Sequence, residues 1–294
     1  MKAFSARAFL VLLMVSACAP TYREPVAAFG VAAKATATNA KNAFILTDDA
    51  YRQVQGATKI NDLYSGRGAT LQLKPLMSAE ARDSRFTALA ALALYADRLT
   101  EVAGAAPISE LDANTRALAD KLKAFQGGGL FADNPQALQV GAAAVRAIGE
   151  FIIVYKQKTA ITEVAKQQHE NVVRISELLT RDIGTPDTPN NLKNFMKTSL
   201  VQETAAWETL LNKLSKTPRG DADLAGLYDT ANQRLGRYAV WGDALAGVQD
   251  ALRAMVTAHR TLAEGAEETR VRAAVQAFAD QVTAIAAIYQ YAKP

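Results

Sequence analysis

Residues 224–262, LAGLYDTANQRLGRYAVWGDALAGVQDALRAMVTAHRTL, carry the pattern that decides the fold. A seam with alternating steps of three and four runs through positions 224, 227, 231, 234, 238, 241, 245, 248, 252, 255, 259 and 262. Ten of these twelve positions are apolar or aromatic, and the exceptions are Arg234 and His259. A heptad seam of this length predicts one long helix whose apolar stripe packs against neighbouring helices.

A second seam of the same kind follows in the last part of the chain. Its positions are Val271, Val275, Phe278, Val282, Ile285 and Tyr289. The phase does not continue from Leu262, and Gly265 lies between the two seams. Since short links between long amphipathic helices favour antiparallel packing, we expect the chain to turn at Gly265.

Glycine, proline and capping residues divide the preceding residues into five further helical segments. These are 28–64, 78–103, 109–126, 134–181 and 189–215. At 1.5 Å per residue, the segment 134–181 would be about 70 Å long as a single helix. The predicted fold class is all-α: an elongated up-down bundle of about seven helices.

The composition fits a folded chain with an ordinary surface. Half of the 294 residues are hydrophobic and 21% are charged, which allows one elongated domain or two small ones. The formal charge is +4, and it falls to +2 without Lys2 and Arg7, which lie in the segment expected to be removed. Lysine and arginine do not cluster with aromatic residues, so we expect no nucleic-acid partner.

Residues 1–18, MKAFSARAFLVLLMVSAC, have the three parts of a secretory signal. A short basic start precedes an apolar run from Ala8 to Val15, and small residues follow. The run is too short to span a bilayer. The segment is therefore expected to direct export and to be cleaved.

The end of this signal, Val15-Ser16-Ala17-Cys18, resembles the lipobox of bacterial lipoproteins. The resemblance implies cleavage between Ala17 and Cys18, a diacylglyceryl group on the Cys18 sulfur, and acylation of the new amine with palmitate-type chains. An ordinary secretory signal with an incidental cysteine is the alternative. Cys18 is the only cysteine, so neither an internal disulfide nor a thiolate metal site can form.

The resemblance also implies an address and a domain plan. Ala19 stands where aspartate would retain many lipoproteins in the inner membrane, so we expect the periplasmic face of the outer membrane, with the inner membrane as the alternative. The predicted divisions are a signal peptide over 1–17, a lipid-anchored tether over 18–27 and a helical bundle over 28–294. Pro20 and Pro25 and the lack of apolar periodicity suggest the tether.

The stretch 138–155, LQVGAAAVRAIGEFIIVY, is apolar on nearly every face. Arg146 and Glu150 argue against exposure to lipid, so we expect a core helix, and membrane insertion is the alternative. The following residues 156–171 are polar, which is typical of a solvated helix end or of a surface for a partner. The candidate partner surface consists of Lys166, Gln167, His169 and Glu170.

No catalytic residue, metal site or cofactor is predicted. His169 and His259 belong to neither HExxH nor Glu-x-x-His, and Gly127–Gly129 lacks the lysine of a phosphate-binding loop. Within the long seam, His259 and Arg234 are expected at a bundle end or beside a local carboxylate.

These observations predict a lipid-anchored interaction or scaffolding module of the bacterial envelope. Its expected partners are the membrane, through Cys18, and another envelope protein. An immunity-type binder is one version, by analogy only. The alternatives are a ligand-binding bundle, a membrane-active helical protein and, last, an enzyme. The pocket of a ligand-binding bundle would lie near the aromatic residues Trp207, Trp241, Tyr228 and Tyr238.

Overall fold

The computed structural model describes residues 22–68, 72–104, 120–121, 135–154, 161–185, 187, 189–216 and 221–292. Within these residues the chain forms seven α-helices and no strand, so the all-α prediction is confirmed. The helices are α1 Arg23–Tyr64, α2 Ala79–Val102, α3 Pro135–Val154, α4 Ile161–Ile183, α5 Leu192–Leu214, α6 Asp221–Ala263 and α7 Glu268–Ala292. The predicted helix over 109–126 lies outside the described residues, apart from 120–121.

The single helix predicted over 134–181 is wrong. The structure has two helices there, α3 and α4, which pack against each other. Ile148 and Ile152 of α3 and Ile175 and Leu179 of α4 are buried in the same hydrophobic core. A rod of about 70 Å would have carried one of these apolar faces away from that core.

The predicted tether over 18–27 is too long, because α1 already begins at Arg23. Proline is tolerated in the first turn of a helix, where no intrahelical N–H is needed, so Pro25 does not delay the start. Val26 is fully buried, and the buried Tyr22 donates its hydroxyl hydrogen to the carbonyl of Ala266, 2.7 Å away. The first helix is therefore fastened to the turn between α6 and α7.

Two helix starts show local capping. Ser78 accepts a hydrogen bond from the backbone N–H of Ala81 at 3.1 Å, as a predicted N-cap should. The cap of α5 is Asn191, which accepts from the backbone of Asn194 at 2.9 Å, so this helix begins three residues later than the predicted segment 189–215. Four of the described helices end at glycines in the left-handed region, which favours glycine: Gly66, Gly104, Gly184 and Gly265.

Helix α1 lies in the middle of the bundle and packs against α2, α5, α6 and α7. Helix α6 carries the predicted seam. Nine of the twelve seam positions are buried, and Leu224, Leu227 and Arg234 are half-buried. The heptad prediction is thus confirmed, and the turn at Gly265 is where it was expected.

The seam is less deeply buried at its start because the bundle narrows there. Beyond the main core, the ends of α1 and α5 and the start of α6 form a three-helix extension, which we call the tip. A small second core fills it, made of Trp207, Leu210, Leu214 and Ala231. Lys213 holds the tip together through Asn61 and Ser65 at the end of α1.

Candidate functional sites: two buried polar networks and two grooves

The first polar network surrounds Glu203 of α5, whose side chain is fully buried. Its carboxylate accepts from Arg234 Nε at 2.9 Å, from the Tyr238 hydroxyl at 2.6 Å and from Trp207 Nε1 at 3.1 Å. Three donors on one buried carboxylate offset its loss of hydration. Arg234 also lies over the Trp207 ring, 5.5 Å from its centroid. The expectation that Arg234 satisfies a local carboxylate is confirmed.

This network has no free base to offer to a substrate. Burial and the adjacent Glu203 raise the pKa of Tyr238, so its hydroxyl remains a donor to the carboxylate. The guanidinium of Arg234 completes the ion pair. The arrangement binds α5 to α6 and holds a charge pair inside the bundle, which is a structural role.

The second network joins three helices through Tyr95 of α2, His259 of α6 and His169 of α4. The Tyr95 hydroxyl lies 2.6 Å from Nε2 of His259, and Nδ1 of His259 lies 3.0 Å from Nδ1 of His169. Tyr95 and His259 are buried, whereas His169 is half-buried. His259 therefore has no carboxylate partner, so that part of the expectation is wrong, whereas it does lie near the C-terminal end of α6.

The hydrogen-bond pattern assigns the tautomers. The buried Tyr95 O–H needs an acceptor, and Nε2 of His259 is its partner. The hydrogen of neutral His259 then sits on Nδ1 and is donated to Nδ1 of His169. His169 consequently carries its own hydrogen on Nε2. The chain of donation runs from Tyr95 through His259 to His169.

Both imidazoles are neutral near pH 7. Burial, together with neighbouring His169, lowers the pKa of His259 to about 3. Burial and Arg260 lower the pKa of His169, and Glu170 and Glu264 oppose that shift. Burial raises the pKa of Tyr95. In the part of the chain that the structure describes, no three histidine, cysteine or acidic residues are grouped as a metal site would require.

Two open grooves run between α5 and α6. One has a volume of about 320 Å³ and is lined by Lys193, Met196, Lys197, Leu200, Tyr238 and Gly242. The other, at the tip, has about 380 Å³ and includes Leu211, Leu224 and Tyr228 in its lining.

The aromatic residues that were considered for a pocket divide between core and surface. Trp207 and Trp241 are core residues, the ring of Tyr238 borders the first groove, and Tyr228 is exposed beside the second.

The candidate partner surface on α4 is only partly a surface. Lys166, Gln167 and Glu170 are exposed, but His169 turns inward to His259. Glu170 forms an ion pair with Arg174 at 2.9 Å.

The apolar stretch of α3 is buried from Ala142 to Ile152 on its inner face, as a core helix requires. None of the described helices has both the length and the hydropathy to cross a membrane. Ala17 and Cys18 lie outside the described residues.

The sequence did not single out Glu203 or Tyr95. Glu203 and Trp207 are four residues apart on one helix face, a spacing at which side chains meet, and this was the available signal. Comparison of the chain with protein-family models, with curated proteins and with solved structures found no match.

Proposed function

We propose that the protein is a lipid-anchored binding module of the bacterial envelope, held by acyl chains on Cys18 at the periplasmic face of the outer membrane. The lipobox residues and the single cysteine support the anchor. Under this proposal the body binds another envelope protein and catalyses no reaction. An immunity-type role is the version in which that partner is a toxin directed at the envelope.

The observation that carries the binding role is apolar surface at the tip. Ile60, Leu63 and Tyr64 occupy one turn of α1 and are exposed, Leu63 to 54%. Tyr228 of α6 is 57% exposed and borders the 380 Å³ groove. Exposed apolar and aromatic side chains beside a groove are typical of protein-binding surfaces. The tip also lies at the end of α1 opposite Tyr22, which is four residues after Cys18, so it would face away from the anchoring membrane.

The polar face of α4 remains the competing surface. It lies at the other end of the bundle, because His169 pairs with His259 near the end of α6. Of its exposed charges, Glu170 is engaged in an ordinary helical ion pair with Arg174, which contributes little on its own.

Capture from envelope membranes tests the two surfaces against each other. The full chain carrying Leu63→Glu with Tyr228→Glu should retain less than a tenth of the partner captured by the unmodified chain. Val31→Glu is the matched control, since Val31 is 71% exposed on the same helix at the opposite end. Equal capture by all three proteins would refute the tip, and loss on charge reversal of Lys166 and Glu170 would transfer the role to α4.

The anchor has its own test. Replacing Cys18 with serine should abolish incorporation of radiolabelled palmitate and leave the signal uncut at this site, since the chain has no other thiol. Circular dichroism should remain helical. Equal labelling of the Cys18→Ser chain would end the lipoprotein assignment.

A further inference from the structure

The groove of about 320 Å³ holds a half-buried cation without a carboxylate partner. Nζ of Lys193 donates to Oε1 of Gln249 at 2.5 Å, and no ion pair of Lys193 is found among the described residues. Gln249 is neutral, and its amide nitrogen is occupied by the carbonyls of Thr180 and Gly184, each at 2.9 Å. The amide therefore positions the ammonium group of Lys193 without neutralising it.

The acidic residues nearby have their own partners. Asp250 is paired with Arg253 at 2.8 Å, and Asp187 with Lys197 at 2.9 Å. The groove thus has a net positive edge at Lys193. Asp250 attracts Lys193 at longer range and Arg253 repels it, so no close carboxylate offsets the partial burial of the Lys193 charge. An anion in the groove would recover the free energy that this burial costs.

Apart from Lys193 and Lys197, the lining is apolar. It is formed by Met196 and Leu200 of α5 and by Tyr238 of α6, whose hydroxyl is turned inward to Glu203. Opposite them, Gly242 leaves open space, because a Cβ added there would meet no atom within 4 Å. The groove therefore combines one positive end with a short apolar channel.

We propose that this groove binds a free medium-chain carboxylate, with the carboxylate on Lys193 and the acyl chain along Met196 and Leu200. A volume of 320 Å³ is at the lower end of the range for small-molecule sites. This volume suits one short acyl chain better than the two chains of a membrane lipid, and the charge of Lys193 favours a free carboxylate over an uncharged ester. The proposal is independent of the protein partner at the tip.

Calorimetric titration of the full-length protein in phosphatidylcholine nanodiscs with octanoate tests the site, with empty nanodiscs as the blank. Lys193→Met keeps the aliphatic stem but removes the charge, and it should weaken octanoate binding at least tenfold. Lys197→Met should weaken it less than threefold, because Lys197 is exposed and already paired. Octanol, which has no charge, should bind the unmodified protein at least tenfold more weakly than octanoate.

Two leucine substitutions on α6 separate occupancy of the groove from folding. Gly242→Leu should fill the groove and abolish octanoate binding while helicity is retained. Gly236→Leu is the matched control: Gly236 is an exposed helical glycine, also without an atom within 4 Å of an added Cβ, and it is not part of the lining. The proposal is overturned if the unmodified protein gives no heat at millimolar octanoate, or if Lys193→Met binds it equally well. Self-association that Gly242→Leu abolishes would assign the groove to a second copy and overturn it too.

Discussion

Acid should loosen the junction of α2, α4 and α6 through the His259 imidazole. The pKa of this group is about 3 in the folded protein, against 6.5 for an unperturbed histidine. Between these values the unfolded chain binds a proton that the folded chain does not. Stability is therefore full above about pH 6.5 and falls as the pH drops toward 3. His169 adds to the loss in the same direction, because its pKa is also lowered.

The size of the effect follows from the pKa difference of His259. Each pH unit inside the window costs about 1.4 kcal/mol, so lowering the pH from 7 to 4.5 should remove roughly 2–3 kcal/mol. Protonation of His169 adds a specific conflict. A second hydrogen on its Nδ1 would face the Nδ1–H of His259, and the bond at 3.0 Å would be lost.

Urea unfolding at pH 7.0, 6.0, 5.0 and 4.5 measures this loss. The reference is the double variant Tyr95→Phe with His259→Leu, which removes the titrating imidazole without leaving a buried hydroxyl unpaired. Carboxylates, such as the buried Asp182, are common to both proteins, so their contribution to the pH dependence cancels in the difference. If the free energies of unfolding of the two proteins change with pH by the same amount, to within about 0.5 kcal/mol, His259 does not cause the acid sensitivity. The assigned direction of hydrogen-bond donation from Tyr95 to His169 would then be wrong as well.

Two further substitutions test the packing. Leu245→Ala should reduce the free energy of unfolding by about 2–5 kcal/mol, because this seam residue is 1% exposed. The control is Val201→Ala on the exposed face of α5, which should change the free energy of unfolding by no more than about 0.5 kcal/mol. Equal effects of the two substitutions would mean that the seam is not packed. Asp182→Ala should reduce the free energy of unfolding by about 3–5 kcal/mol in chemical denaturation, since it leaves the buried Arg85, whose Nη2 donates to Asp182 at 2.7 Å, without its carboxylate partner. Replacing both partners, as Arg85→Met with Asp182→Leu, should recover most of that loss, and failure to recover would show that the pair itself supplies the stability.

The long-range features of the fold were predictable where a pattern repeats. The steps of three and four over 224–262 fixed α6, since twelve positions in phase leave little room for another structure. The break between α3 and α4 was not predictable in the same way. Helix α3 is apolar on nearly all sides and the following α4 is amphipathic, so the sequence pattern of the two predicts one continuous helix. Only their burial in a common core shows that they are separate.

The polar networks could not be derived from spacing along the chain. Tyr95 and His259 are 164 residues apart, and their hydrogen bond exists only because α2 and α6 both pack around the same core. Arg234 and His259 interrupt an apolar seam, and this pattern predicts that each side chain has a polar partner. It does not predict which residues those partners are. The start of α1 at Arg23 was not predicted, because Pro20 and Pro25 are typical of a linker. The burial of Val26 becomes apparent only in the folded structure.

The bond from Tyr22 to the carbonyl of Ala266 joins residues that are 244 positions apart, and this affects the order in which the chain can fold. Helix α1 is made before the other described helices, yet three of the four helices that it packs against, α5, α6 and α7, begin at Leu192 or later. Contacts between residues so distant in sequence close late, because the loop entropy is lost before the contact is gained. During synthesis, helix α2 can pack against α1 early, but the part of α1 that α5, α6 and α7 cover must stay exposed until nearly the whole polypeptide has emerged. A chain that completes its bundle so late stays unfolded for longer, which would suit the export across a membrane that we propose.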